Sequence, residues 1–337
     1  MTATPSSLHR VRDTLTPALR AALDRLDEES RRQAAYHFGW IDAAGAPARD
    51  GGGKAVRPAL ALLSAQAAGA RPERGLPGAV AVELVHNFSL LHDDLMDGDE
   101  QRRHRRTVWS LYGASGAILT GDALLALAQE VLLECGQPTA AAAARLLSRA
   151  TRELIRGQVQ DMSFENRAHV TVEECVEMAA GKTGALLSAS AAIGAVLAGA
   201  PVTVVDALAL YGDQVGIAFQ LIDDVLGVWG DPARTGKPVH NDLRTRKKSL
   251  PVAYALNQQG TSSVELAAWL SAPDEPDETE LRRAADLVEE AGGRTWAVAE
   301  ATRRLELGEA ALRDAALDPA AREELIALGG FIVGRDM

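Results

Sequence analysis

The sequence predicts one all-α domain, on the basis of three observations. Alanine, leucine, glutamate and arginine, which are good helix formers, dominate the 337 residues, whereas aromatic residues make up only 4%. Long segments repeat their apolar residues with the period of a helix face. Glycine and proline stand between these segments, where helices end, and there is neither a strand-turn-strand pattern nor a repeat of fixed length. We therefore expect a single domain over residues 1–337.

The predicted helices can be followed along the chain. Residues 1–50 form an N-terminal helical segment. Residues 84–91 are strongly apolar, so they belong to a buried helix that runs into the acidic residues after it. Two further helix faces stand at Leu119, Leu124, Leu125, Ala128, Val131 and Leu132, and at Leu281, Ala284, Ala285 and Val288.

Residues 186–205 are the most apolar stretch of the chain and resemble a membrane span in length. Alanine and glycine, which are abundant there, contribute little transfer energy, and polar residues flank the stretch closely. We therefore interpret it as a buried core helix, with a helix end at Gly199-Ala200-Pro201, and expect no membrane span. Residues 271–278 are acidic and contain proline, which predicts an exposed loop.

Charge and cysteine content narrow the classes of function. The chain has 35 Lys and Arg against 46 Asp and Glu, which gives a net charge of −11. This balance argues against general nucleic-acid binding, which needs a positively charged surface, but it suits a protein that collects metal cations. Two cysteines, Cys135 and Cys175, are too few for a disulfide framework, and the first residues lack the apolar core of a signal peptide. We expect a cytoplasmic protein.

A cluster of three aspartates, Asp93, Asp94 and Asp97, follows the first apolar helix. On a helix this spacing brings the three carboxylates within an arc of roughly 100°. Like charges so close together destabilise a helix unless a cation lies between them, and carboxylate oxygens suit Mg²⁺ that is shared with a substrate phosphate. The alternative is a solvated acidic helix face, which spacing alone does not exclude.

A second acidic pair, Asp223 and Asp224, lies on another apolar helix, 130 residues after the first pair. Two acidic pairs on buried helices are hard to explain as surface decoration. If they face each other across a cavity, they could bind a diphosphate through several metal ions, which act as Lewis acids at the leaving oxygens. The doubled pattern therefore favours metal–diphosphate binding.

Basic residues concentrate beside the acidic clusters, although the protein as a whole is acidic. Arg binds phosphate through two parallel hydrogen bonds and Lys through a point charge, so these residues favour an anionic ligand. For any one of them, a salt bridge to a neighbouring acid is an equally good explanation. The basic residues are Lys54, Arg57, Arg102, Arg103, Lys182, Lys237 and Lys247.

In their order, these motifs resemble those of the trans-isoprenyl diphosphate synthases, or polyprenyl synthetases. The resemblance runs from about residue 51 to about residue 251, with a weaker echo at residues 331–335. Asp93-Asp94-x-x-Asp97, followed by Arg102-Arg103, is similar to the first aspartate-rich motif of that family. Further matches are Gly52-Gly53-Lys54-x-x-Arg57-Pro58, Glu83-Leu84-Val85-His86, Lys182-Thr183, Phe219-Gln220-x-x-Asp223-Asp224, Gly236-Lys237-Pro238 and residues 242–247.

The resemblance implies a fold, a reaction and a set of partners. The implied fold is an isoprenoid-synthase-type helical bundle around a deep central cavity, usually a homodimer. The implied reaction is the head-to-tail condensation of isopentenyl diphosphate with an allylic diphosphate of C5 to C15. The allylic C–O bond ionises, the isopentenyl alkene attacks the cation, and a proton is lost. The implied cofactor is Mg²⁺, with about three ions per active site acting on the diphosphates.

The resemblance also assigns roles to individual residues. The implied Mg²⁺ ligands are Asp93, Asp94, Asp97, Asp223 and Asp224. The residues implied to contact the allylic diphosphate are Arg102, Lys182, Lys237 and Lys247, and those for isopentenyl diphosphate are Lys54, Arg57, His86 and Arg103. Thr183 and Gln220 would border the reacting carbons. The implied catalytic group is Asp93, Asp94, Lys182, Gln220, Asp223 and Lys237.

Two regions depart from the family pattern. Gly227 stands where the second motif usually has its third aspartate, so that oxygen is missing. We expect activity to survive, with that corner of the site altered. His104 and Arg106 replace the more usual glycine and proline after the arginine pair, which changes the loop and adds charge near the diphosphate.

Product length is predicted from the helix of the first motif. Phe88 lies five residues before Asp93, about 7.5 Å deeper along a helix, where its ring could form the floor of the cavity. Ser89 beside it leaves room. An aromatic residue here, with no insertion in the aspartate motif, resembles the synthases that make geranylgeranyl diphosphate (C20). The alternatives are farnesyl diphosphate (C15), a longer product, or Phe88 as an ordinary core residue.

Three other functions fit part of the pattern. A class I terpene cyclase would carry a different second metal motif. A non-catalytic regulatory subunit of a heteromeric synthase is favoured only by Gly227, His104 and Arg106, and the two acidic pairs argue against it. A structural helical scaffold would not need an acidic pair beside Lys237 and Lys247. We therefore predict a prenyltransferase.

Overall fold

The structure is a computed structural model that describes residues 6–48, 53, 55–165, 167, 169–231 and 239–334. The described part consists almost entirely of helices, which confirms the all-α prediction. From the N-terminus these are α1 (Ser6–Leu23), α2 (Glu28–His37), α3 (Val56–Ala67), α4 (Leu76–Met96), α5 (Val108–Leu133), α6 (Ala140–Glu165), α7 (Val172–Ala179) and α8 (Ala185–Ala198). They continue as α9 (Val202–Trp229), α10 (Asn241–Arg244), α11 (Leu250–Leu256), α12 (Thr261–Leu270), α13 (Glu278–Glu290), α14 (Gly293–Asp314) and α15 (Pro319–Gly334).

Side-chain caps explain where several of these helices begin. At α7, the Thr171 hydroxyl accepts a hydrogen bond from the Glu174 backbone N–H, and the Glu174 carboxylate accepts one from the Thr171 N–H. The same reciprocal arrangement joins Asp277 and Glu280 at the start of α13. Such capping boxes satisfy backbone donors that a helix end leaves unpaired, so they fix the two starting points.

The centre of the fold is built from α3, α4, α8 and α9. Helix α8 is apolar and mostly buried, and it packs against α3, α4 and α9. Gly194 lets α8 approach α3 closely, because a Cβ at this position would lie 2.0 Å from the backbone oxygen of Ala61. Helix α9 packs against both α8 and α14. This core holds the acid-bearing helices α4 and α9 in fixed positions.

Several predicted elements can be compared with the structure. The helix faces around Leu119 and Leu281 lie in α5 and α13, which confirms them as helical. The buried core helix predicted within residues 186–205 is confirmed, and so is the helix end predicted at Gly199-Ala200-Pro201. Helix α8 ends at Ala198, Gly199 adopts a φ of +74°, and α9 begins only after Pro201, which caps it. The loop predicted before α13 is confirmed, since α12 ends at Leu270.

A short antiparallel hairpin after α4 was not predicted. Its strands are β1 (Gln101–Arg102) and β2 (Arg105–Arg106), with Arg102 paired to Arg105. The turn residues Arg103 and His104 have φ values of +52° and +60°. Two-residue hairpin turns require this conformation, and glycine adopts it with the least strain. A glycine at position 104, which the resemblance leads us to expect, would therefore fit this turn with less strain than His104.

Three helical stretches are long and apolar enough to cross a membrane, namely residues 108–133, 172–198 and 202–229. In the second stretch, 72% of the most apolar window is buried against the rest of the protein. Helix length and composition therefore do not support the prediction that the chain lacks a membrane span.

Candidate functional site

A cavity of about 850 Å³ lies between the acid-bearing helices and the N-terminal helices. Its wall is formed by α1 to α4, the hairpin, the π-helical segment Ala180–Gly184, α9 and the segment that begins at α10. Residues that are far apart in sequence therefore face one space. The predicted site residues on its wall are Arg57, His86, Ser89, Asp93, Asp94, Arg102, Arg103, Lys182, Thr183, Asp223 and Lys247.

The remaining predicted site residues do not belong to this wall. Lys54 and Lys237 lie outside the residues that the structure describes. Asp97, Gln220, Asp224 and Phe88 are described, but they are not part of the cavity lining. Asp97 is the C-cap of α4 and is exposed.

The first acidic pair lies where a helix least favours negative charge. Asp93 and Asp94 occupy the last turn of α4, which ends at Met96, and the C-terminal end of a helix carries partial negative charge. Burial raises the pKa of Asp93 to about 6, although Lys182 acts in the opposite direction. Burial also raises the pKa of Asp94. A bound cation at this helix end would relieve the repulsion.

Asp94 is held by an arginine of the hairpin. Nε and Nη2 of Arg102 lie 2.7 and 2.6 Å from Oδ1 of Asp94. For Arg102, the structure therefore shows the alternative explanation, a salt bridge to a neighbouring acid. Oδ2 of Asp94 is buried and has no hydrogen-bond partner. A buried oxygen without a partner costs about 1–3 kcal/mol, a penalty that a cation or a donor would remove.

Lys182 and Thr183 lie in the π-helical segment between α7 and α8. Single-turn π segments inside helices are frequent at functional sites. Nζ of Lys182 is 2.6 Å from Oδ2 of Asp161 on α6. The two segments can approach so closely because of Gly157, where a Cβ would lie 2.2 Å from the backbone nitrogen of Lys182. The ammonium group of Lys182 is thus held at the cavity wall by the Asp161 carboxylate of α6.

Asp224, which the resemblance implies as a metal ligand, lies away from the cavity lining. Its two carboxylate oxygens accept hydrogen bonds from Gln220 Nε2, at 2.9 Å, and from the Leu250 N–H, at 2.8 Å. The side chain is buried, and burial raises its pKa to about 7. Thr183 in turn donates to Gln220 Oε1 at 2.7 Å, so this network connects the π segment, α9 and α11. Of the second pair, Asp223 is the residue that faces the cavity.

A second group of cations lines the cavity beside α3. Nη1 of Arg57 lies 3.3 Å from Nε2 of His86 on α4. Burial, together with Arg57 and Arg103, holds the pKa of His86 well below its usual range, so the imidazole is neutral at pH 7. Arg105 donates to the backbone oxygens of Tyr36, at 2.9 Å, and Ile41, at 3.1 Å, which fixes the hairpin against α2. This arrangement offers a second anion-binding surface, separate from the one around Lys182.

Sequence reasoning missed several residues at the cavity. His37, Glu83, Asn87 and Asp242 line it, and Asp161 contacts it through Lys182. Glu83 belongs to a matched motif but received no role. Asp161 follows an isolated glycine in a polar helix, which was a usable signal of close packing. His37 carried no signal, because its neighbours across the cavity come from the hairpin and α4.

The donor groups can be tested against the requirements of a metal site. Within the described ranges, no three carboxylate, imidazole or thiol side chains are placed to hold a metal ion by themselves. Mg²⁺ usually keeps only one or two protein carboxylates and completes its shell with water and substrate phosphate. One or two of the cavity-facing carboxylates of Asp93, Asp94 and Asp223 would suffice for each ion in that second kind of site.

Comparison with known proteins agrees with this geometry. A family model described as polyprenyl synthetase matches residues 39–288. The chain is 52% identical over 326 residues to a (2E,6E)-farnesyl diphosphate synthase of Mycobacterium tuberculosis, covering 96% of this chain and 91% of that protein. It is 43% identical over 333 residues to a geranylgeranyl diphosphate synthase of the same species, with 98% and 93% covered. A polyprenyl synthetase crystal structure from Streptomyces coelicolor superposes with a TM-score of 0.94 and 55% identity, covering 97% of this chain and 99% of that one.

Proposed function

Because this chain belongs to the polyprenyl synthetase family, we propose that it condenses isopentenyl diphosphate head-to-tail with an allylic diphosphate, in a Mg²⁺-dependent reaction that ends at geranylgeranyl diphosphate. The observation that carries the proposal is that one cavity holds two different sets of charges. Asp93 and Asp223 face it with Lys182 beside them, and Arg57 and Arg103 face it from another side, where the neutral His86 contacts Arg57. Two diphosphates can therefore bind side by side.

Mg²⁺ fits the acidic side of the cavity. Asp93, Asp94 and Asp223 would hold it together with diphosphate oxygens. Oδ2 of Asp94, which has no hydrogen-bond partner, would serve as a metal ligand. Bound Mg²⁺ would act as a Lewis acid that stabilises the negative charge on the departing diphosphate. Carboxylates from α4 and α9 are hard oxygen donors, which suits this cation better than a softer one.

Lys182 and Lys247 bind the allylic diphosphate on the same side. Burial disfavours the charge of Lys247, but the carboxylates of Asp224 and Asp161 outweigh it and raise its pKa, so the ammonium group stays charged. When the allylic C–O bond breaks, negative charge grows on the diphosphate next to these fixed cations. Charges that are placed before the reaction stabilise that state without reorganisation.

The other cations hold isopentenyl diphosphate, so that its alkene reaches the allylic carbon. Arg57 and Arg103 are these cations, and the neutral imidazole of His86 completes the subsite beside α3. After the new C–C bond forms, the departing diphosphate accepts the proton that is lost, so no side-chain base is required. The apolar side chains of Leu154 and Leu186 line the cavity, where they exclude water from the cation and accommodate the growing tail.

The C20 product is supported by the wall below the first acidic pair. Ser89, about 6 Å from Asp93 along α4, lines the cavity, so the side chain one turn deeper is small. The second candidate is a C15 product, which the 52% identity to a farnesyl diphosphate synthase favours. Both candidates share the same chemistry and differ in the depth available to the tail.

The test is product analysis of the purified protein. It is incubated with isopentenyl diphosphate and C5, C10 or C15 allylic starters, with and without Mg²⁺, and the dephosphorylated alcohols are identified by mass spectrometry. We expect a dominant Mg²⁺-dependent C20 alcohol. A C15 product would reject the length assignment alone. Absence of elongation from every starter, or full activity in Asp93→Ala or Asp223→Ala, would reject the proposed reaction.

We also propose that the protein forms a homodimer through α5 and α6. Apolar side chains on these adjoining helices are exposed, among them Leu119 at 64% and Val159 at 62%. Burial of such side chains against a second copy is favourable at about 25 cal/mol per Å² of apolar surface. Light scattering should give twice the chain mass, and Leu119→Glu with Val159→Glu should give the monomer. A wild-type monomer would reject this assembly.

A further inference from the structure

Three consecutive basic residues, Arg246, Lys247 and Lys248, follow α10, and their side chains reach three different parts of the fold. Lys247 lines the cavity, whereas neither Arg246 nor Lys248 belongs to its wall. Nζ of Lys248 donates a hydrogen bond to the backbone oxygen of Phe164 on α6, at 3.0 Å. The side chain of Arg246 reaches α12 instead. Of these three cations, only the middle one therefore faces the proposed diphosphate site.

The guanidinium group of Arg246 covers the C-terminal end of α12. Nη1 donates to the backbone oxygen of Trp269, in the last turn of that helix, and Nη2 donates to the backbone oxygen of Asp274, at 2.7 Å. The group also lies over the Trp269 ring, with Cζ 4.9 Å from the ring centre. The last carbonyl groups of a helix lack partners within it and carry partial negative charge, so an arginine is stabilised there. Arg246 thus joins its own segment to α12 and to the loop after it.

The backbone at Arg246 is held in a strained conformation. Its φ is +54°, in the left-handed region that disfavours residues with a Cβ. Strain of this kind persists only where the surroundings fix the residue, and the contacts of the Arg246 side chain do so. The Arg246 N–H also donates to the Leu243 oxygen at 2.9 Å, and the Lys247 N–H donates to the Asp242 oxygen at 2.8 Å. The backbone of Lys247 is therefore as fixed as that of Arg246.

We propose that Arg246 is a positioning residue, which holds its segment against the end of α12 and so fixes the ammonium group of Lys247 at the allylic diphosphate. A lysine is a point charge on a long flexible stem, so the place of its charge depends on a fixed backbone. The inference rests on the proposed function, because it needs Lys247 to bind a diphosphate. It also gives a role to the loop after α12, since the backbone of Asp274 is part of the support.

Steady-state kinetics of Arg246→Gln tests the inference, with the KM of each substrate measured separately. We expect the KM of the allylic diphosphate to rise about 10-fold, because loss of a supporting contact commonly has an effect of this size. The KM of isopentenyl diphosphate should not change, since Arg57 and Arg103 bind it beside α3. General damage to the fold would not produce this difference between the two substrates.

The matched control is Arg244→Gln. Arg244 lies two residues away, is exposed and forms an ion pair with Glu278 at 2.5 Å, so the control removes a neighbouring cation and leaves the end of α12 intact. It should keep both KM values. Arg246→Lys should give an intermediate KM for the allylic substrate, because an ammonium group keeps the charge at the helix end but lacks the planar fork that contacts two oxygens.

Binding of inorganic diphosphate measures the same effect without turnover. Calorimetric titration at fixed Mg²⁺ should show an affinity about 10-fold weaker in Arg246→Gln than in Arg244→Gln. If Arg246 acts only through Lys247, then Arg246→Gln combined with Lys247→Ala should bind no more weakly than Lys247→Ala alone.

Three results would overturn the role of Arg246 and leave the proposed function in place. They are equal allylic KM values in Arg246→Gln and Arg244→Gln, a parallel rise of both KM values in Arg246→Gln, and independent losses in the double variant. A wild-type protein that neither elongates an allylic starter nor binds Mg²⁺ with inorganic diphosphate would overturn both the inference and the proposed function.

Discussion

Nζ of Lys182 lies 2.6 Å from Oδ2 of Asp161, and this contact joins the π-helical segment to α6 at the cavity wall. Both side chains are partly buried, with exposures of 23% and 18%. Burial alone would raise the pKa of Asp161, but Lys247 and Lys182 outweigh it and hold the pKa below its usual value. Asp161 is therefore a charged residue that positions the cation expected to bind the allylic diphosphate.

Asp161→Asn should reduce kcat by about 100-fold, because displacement of a binding group by an ångström has effects of this size. Steady-state kinetics measures it, with Asp206→Asn as the charge-matched control. If Asp161 acts only through Lys182, then Lys182→Ala combined with Asp161→Asn should be no slower than Lys182→Ala alone. Independent, multiplicative losses would contradict this positioning role.

Ser89→Phe should shorten the main product, since Ser89 lines the cavity one helical turn from Asp93. Phe88→Leu should leave product length unchanged. The Phe88 ring packs edge-on against His92 at 4.8 Å, and His92 contacts the backbone of Ile118 on α5, away from the cavity lining. Mass spectrometry of the dephosphorylated product alcohols measures product length in both variants. Longer products from Phe88→Leu would restore Phe88 as the floor that the sequence predicted.

His104→Gly should raise the free energy of unfolding by about 1 kcal/mol, because His104 has a φ of +60° and glycine adopts this conformation without a Cβ penalty. Urea denaturation measures the change. His104→Ala is the control, since it removes the imidazole but keeps the Cβ, so it should gain little. Equal stabilisation by both substitutions would show that the imidazole, and not the backbone, carries the cost.

His37→Asn should flatten the pH dependence of stability below neutral pH. Burial, with Arg102 and Arg103 nearby, lowers the pKa of His37 to about 3. Between pH 3 and about 6.5 the unfolded chain therefore binds a proton that the folded protein does not, so the stability contributed by the neutral imidazole is lost as pH falls. Chemical denaturation at pH 4–6 measures the free energy of unfolding at each pH. Its slope against pH should be steeper in the wild type than in the variant by up to about 1.4 kcal/mol per pH unit. Equal slopes of stability against pH in wild type and His37→Asn would contradict this prediction.

The sequence predicted those parts of the site whose residues lie close together along the chain. The spacing of Asp93 and Asp94, and the repeat of this pattern at Asp223, correctly predicted three residues of the cavity wall. Asp161 could not be found in this way, because its partner Lys182 is distant in sequence and the two meet only when helices pack. Spacing measures neighbours on one helix and carries no information on contacts between helices.

The environment of a carboxylate was equally hard to predict. Asp223 and Asp224 are adjacent, and the motif suggests the same role for both. On a helix, neighbouring residues point about 100° apart, so one reaches the cavity and the other turns inward to Gln220 and Leu250. The break in residues 186–205 was predictable, by contrast, because Gly199 and Pro201 mark it in the sequence itself.

The acidic end of α4 also sets a limit on how stable the resting protein can be. Asp93 is partly buried and Asp94 is buried at the negative pole of their helix, and their raised pKa values mean that ionisation opposes folding at pH 7. The same negative charges that suit the complex with Mg²⁺ and substrate thus lower the stability of the free enzyme. Asp93→Asn should therefore melt at a higher temperature than the wild type at pH 7.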